Sequence, residues 1–108
     1  MKKKYKYRLR PCFGKTEVLI EFIGIDNYFI SYFVDALVEI NPKITDIEDL
    51  WMNDEILLHI QTDGGNFLFS KDIYDSVFIM SKENQSLIYQ IDELLGTNNV
   101  FQKIDLSD

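Results

Sequence analysis

Apolar and charged residues alternate with period two over 3-KKYKYRLR-10, with Tyr5, Tyr7 and Leu9 on one face and Lys4, Lys6, Arg8 and Arg10 on the other. That period predicts a half-buried strand. Its charged outer row also discourages pairing with foreign strands. Pro11 and Gly14 interrupt the run, and 16-TEVLIEFI-23 reads as a second strand. The two predict a hairpin in which the Lys/Arg row faces Glu17 and Glu21 across the ladder.

The period then lengthens. Over 27-NYFISYFVDALVEI-40, Phe29, Ile30, Phe33, Val34, Leu37 and Ile40 make one apolar stripe, which predicts an amphipathic helix. Asp26 or Asn27 is its expected cap and Pro42 its stop. Tyr28, Tyr32, Asp35 and Glu39 lie off the stripe and face outward. Farther on, 55-EILLHIQ-61 and 66-NFLFS-70 flank 62-TDGG-65, where glycine supplies the positive φ of a hairpin turn. A strand over 76-SVFIM-80 precedes a second helix, 83-ENQSLIYQIDELL-95, with Leu87, Ile88, Ile91, Leu94 and Leu95 as its stripe. Ser81 is its expected cap and Gly96 its C-terminal glycine. A last strand covers 99-NVFQKI-104.

Short turns between consecutive strands favour antiparallel pairing. The reading is an α+β fold: a mostly antiparallel sheet of about five or six strands with two amphipathic helices packed on one face. No repeat or linker divides the chain, so residues 1–108 read as one domain.

Charge divides the chain unevenly. The first fifteen residues hold seven Lys/Arg and no acid; the remainder sets four lysines against eighteen acids, a net −14. Such a body repels nucleic acid and attracts a basic partner. The lone Cys12 cannot form an internal disulfide, which suits a reducing, cytoplasmic setting. No apolar run follows the basic N-terminus as in a secretory signal, and none approaches the roughly 20 residues of a membrane span. No membrane association is expected.

Chemistry is sparse. One histidine, His59, would have to serve any Ser–His or Cys–His arrangement, and its strand position reads as an ordinary sheet site. One histidine and one cysteine do not make a structural zinc site. The acids of 46-DIEDLWMNDE-55 lack the spacing of an EF-hand loop. Gly64–Gly65 leads into a strand with no lysine after it, unlike a phosphate loop. The expectation is no catalytic residue, no cofactor and no metal.

That leaves 46-DIEDLWMNDE-55, where Asp46, Glu48, Asp49, Asp54 and Glu55 surround the only tryptophan, Trp51. Two placements are open. Leu50 and Trp51 could fold inward and plug one end of the core, or Trp51 could anchor an interface ringed by charge. The stretch 72-DIYDS-76 repeats the theme with Asp72, Tyr74 and Asp75. A hairpin over 55–70 would bring the two segments to the same edge of the sheet. These nine residues form the candidate partner-binding patch.

In size, α+β layout and this acidic-aromatic patch, the chain resembles the immunity proteins of bacterial toxin–immunity pairs, of the contact-dependent growth inhibition type. The resemblance implies a non-catalytic cytoplasmic inhibitor, monomeric rather than dimeric. It would bind and neutralise a basic cognate toxin domain, often a nuclease. Two other kinds of protein share these features: a small acidic dimeric secretion chaperone, and an acidic nucleic-acid mimic that blocks a defence nuclease.

Overall fold

The computed structural model describes residues 5–11, 17–72, 76–81 and 83–104. It is the α+β arrangement expected, with one strand more. Seven strands, β1 (Tyr5–Pro11), β2 (Val18–Ile23), β3 (Lys43–Leu50), β4 (Glu55–Thr62), β5 (Gly65–Asp72), β6 (Val77–Met80) and β7 (Phe101–Lys103), form one sheet. Their order is β3-β4-β5-β6-β2-β1-β7. Every pairing is antiparallel except β1 with β7. Two helices, α1 (Phe29–Ala36) and α2 (Gln85–Gly96), pack on one face.

The core follows from the period-two faces. Tyr5 and Tyr7 of β1, Ile20 and Phe22 of β2, Phe67 and Phe69 of β5, and Val77 and Ile79 of β6 all point to the helix side and are buried. Phe29 and Phe33 of α1 complete an aromatic cluster, with Phe22 4.9 Å from Phe29 and 5.5 Å from Phe33 between ring centres, edge to face. From α2 come Leu87, Ile88, Ile91 and Leu95. On the other face, Arg8 Nε and Arg10 Nη1 meet Glu21 at 2.6 and 3.2 Å. The expected cross-strand pairing therefore forms at Glu21. Glu17 takes no part in the ladder, because pairing starts at Val18.

Helix ends differ from expectation. The first helix is shorter than 27–40: α1 ends at Ala36, followed by a 3-10 turn at Val38–Ile40 closed by left-handed Asn41. Its first turn is held by Asp26, which accepts the Tyr28 N–H on Oδ1 and the Phe29 N–H on its carbonyl. Asn84, not Ser81, caps α2, accepting the Leu87 N–H; Ser81 donates instead to the Asn66 carbonyl. The helix runs through Gly96 to a cap at Thr97. At the β4–β5 turn, Gly65 has φ +127° and Asn84 Nδ2 donates to the Gly64 carbonyl. The hairpin tip is thereby tied to the start of α2.

The additional strand is β3. In 43-KITDIEDL-50 the apolar residues recur every third position, which hides a strand from a period-two reading. A bulge between Ile44 and Asp46 removes the mismatch. Ile44 then lies opposite Ile60 and Ile47 opposite Leu58, on the same face.

Candidate functional site

β3 and β4 form a hairpin joined by a 3-10 turn at Trp51–Asn53, with Leu50 opposite Glu55. Asp54 closes the turn at φ 53° and donates its N–H to the Trp51 carbonyl. Aspartate tolerates this left-handed backbone better than most side chains. The tight turn leaves no depth in which to bury an indole. Trp51 is 74% exposed and Met52 80%. Of the two placements left open by the sequence, the inward one is overturned for Trp51.

The ladder decides which acids meet. Glu55 pairs with Leu50 on one side and Asp72 on the other; Ile56 pairs with Asp49 and Lys71. Asp49, Trp51, Asp54, Glu55, Ile56, Lys71 and Asp72 consequently line one shallow depression of about 240 Å³. The expected meeting of the two acidic segments thus occurs at Glu55 and Asp72. Tyr74 and Asp75 lie outside the described residues, as does Cys12. Asp46 and Glu48 are not in the depression; they continue along β3 on the sheet face away from the helices, opposite His59 and Leu57.

Several carboxylates are held in place. Ser70 Oγ donates to Glu55 Oε1 at 2.8 Å, and the Ser76 N–H to Asp72 Oδ1 at 3.0 Å. Asp46 Oδ1 accepts the Ile47 N–H at 3.0 Å. Glu48 Oε2 lies 2.6 Å from His59 Nε2, and both side chains are partly exposed. Among the described residues, no hydrogen bond or ion pair engages the carboxylates of Asp49 and Asp54.

His59 also borders a wide trough on the open sheet face, with Thr45, Leu68, Met80, Ser81 and Glu83. Ser81 Oγ is committed to the Asn66 carbonyl and His59 Nε2 to Glu48, so the two are not joined as nucleophile and base. No three His, Cys, Asp or Glu side chains among the described residues cluster as metal ligands. No helix among them is long and apolar enough to cross a membrane.

Three features of this surface escaped the sequence reading. Met52 doubles the apolar tip, and only its adjacency to Trp51 could have signalled it. Lys71 enters the depression through the β4–β5 register, which no local pattern reveals. Ile47, 62% exposed, faces the helix side beyond the reach of either helix. Compared with the known protein families, the curated proteins and the solved structures, the chain matches none.

Proposed function

We propose that this protein is a cytoplasmic, monomeric inhibitor of the immunity type, which binds and neutralises a basic toxin domain and catalyses nothing itself. The observation that carries the reading is Trp51, 74% exposed at the tip of the β3–β4 hairpin among Asp49, Asp54, Glu55 and Asp72. An indole left in water forgoes roughly 3–5 kcal/mol of burial at 25 cal/mol per Å². A partner that covers it recovers that energy, and the acids around it select a cationic one. A nuclease groove has this character, since it must attract phosphate.

The test is co-expression with the product of the adjacent reading frame, followed by affinity capture and titration of the complex. A basic domain should co-purify, and its toxicity should vanish when this protein is present. Trp51→Ala should weaken that complex by about 2–4 kcal/mol while shifting folding stability by no more than about 0.5 kcal/mol, as an exposed site allows. A Trp51→Ala protein that binds normally would remove the hairpin tip from the interface. Failure of any basic partner to bind would remove the function.

A further inference from the structure

β3 is eight residues long and lies at the end of the sheet; among the described residues no strand pairs beyond it. An open strand edge is a row of unpaired N–H and C=O groups, and proteins usually blunt it with lysine, proline, a bulge or a short length. Here the bulge and the only lysine, Lys43, sit at the start. From Asp46 to Leu50 the pairing with β4 is regular and the strand carries neither lysine nor proline. All of β3 but Leu50 is exposed.

We infer that the free edge of β3 accepts an extended segment of the partner as an added strand, with basic side chains alternating with apolar ones. This rests on the proposed binding role and gives it a mode. The occupant follows from the two faces of β3. Asp46 and Glu48 point to the open face of the sheet, opposite His59 and Leu57. Ile44 and Ile47 point to the helix face, where Ile47 is 62% exposed. A neighbouring strand directs its own side chains alternately to the same two faces. Cations therefore fall beside Asp46 and Glu48, and an apolar residue beside Ile47.

A second copy of this chain is disfavoured as occupant. An antiparallel pairing of two β3 edges centred on Ile47 would set Asp46 of each strand against Glu48 of the other, on the open face they share, and like charges across a ladder are destabilising. In the free protein Asp46 Oδ1 holds the Ile47 N–H, so this donor is kept satisfied until a carbonyl of the incoming strand replaces the carboxylate.

The test uses the full chain, nitrogen-15 labelled, and three blocked peptides: one alternating lysine with valine, one with the lysines changed to glutamate, and the first one N-methylated at its central amides. The lysine–valine peptide should perturb β3 amides and slow exchange of the outward N–H groups of Ile47 and Asp49. Both the glutamate peptide and the N-methylated peptide should bind at least tenfold more weakly. Equal binding of the N-methylated peptide would reduce β3 to a charged surface and overturn strand addition. So would perturbations confined to the Trp51 depression, or no slowing at millimolar peptide. A β3 dimer in sedimentation that Ile47→Pro dissolves would assign the edge to a second copy and also overturn it. With a cognate domain in hand, a folded Ile47→Pro protein that binds normally, beside a weakened Trp51→Ala, removes strand addition and leaves the binding role standing. Normal binding by both variants removes both.

Discussion

Two glycines show how far a single residue's surroundings decide its cost. Gly24 has φ +75° with nothing within 4 Å of where a Cβ would sit, whereas a Cβ on Gly65, at φ +127°, would lie 2.3 Å from Asn84 Nδ2. Gly24→Ala should therefore cost about 1–2 kcal/mol, the strain of a left-handed backbone alone. Gly65→Ala adds displacement of Asn84, which both caps α2 and holds the Gly64 carbonyl. Backbone strain and a lost cap together predict about 2–4 kcal/mol. Urea denaturation of the two variants measures the difference, and equal losses would mean that Asn84 moves aside freely. The turn itself was legible from Asp63-Gly64-Gly65. Its docking on Asn84, nineteen positions after Gly65, was not, because no local pattern encodes which helix end a turn will meet.

Among the elements, β1 carries a second consequence. Its inward row buries two phenols: Tyr5 donates to Asp26 Oδ1, and Tyr7 to the Asp92 carbonyl. Burial pushes both hydroxyls well above the usual tyrosine range; Asp26, through its hydrogen bond and its charge, adds to the rise at Tyr5, and Asp92 adds at Tyr7. Raised folded values mean that the unfolded chain loses phenolic protons first as pH climbs. The stabilisation is therefore complete below the unfolded value of about 10 and is lost progressively above it. The urea midpoint should hold from about pH 8 to about pH 10 and fall above about pH 10, and Tyr7→Phe should flatten that fall relative to the parent. An unchanged slope in the Tyr7→Phe protein would show that its phenol titrates freely. β1 was readable because the seven residues from Lys4 to Arg10 keep strict alternation, while β3 was hidden by its bulge, which shifts the faces by one residue midway.

At the scale of the whole molecule, the sheet separates charge. β3 and β1 lie five strand spacings apart, about 24 Å at roughly 4.8 Å each. Arg8 and Arg10 at the β1 end are engaged by Glu21, and Arg10 also sits 5.5 Å over the Phe78 ring. The acids gather at the β3 end, around the hairpin tip. A basic partner should thus be steered toward β3, with an association rate that falls steeply with salt and a dissociation rate that changes little. Stopped-flow mixing from about 50 to about 500 mM salt spans Debye lengths of roughly 14 to 4 Å. An association rate indifferent to that range would take the acidic edge out of recognition.

Alternation in β1, the apolar stripes of α1 and α2 and the Asp63-Gly64-Gly65 turn were enough to determine an α+β sheet with both helices on one side, because each rests on a local period and local backbone preference. The same was true of the acidic character of 46–55, which is composition alone. Tertiary structure decided the rest. Whether Trp51 is buried depended on a tight turn that projects it beyond the sheet. Which acids become neighbours depended on the register that sets Asp49 beside Ile56 and Glu55 beside Asp72. And β3 became an end strand of the sheet, among the described residues, only through strand order, a long-range pairing choice that the eight residues of β3 do not contain.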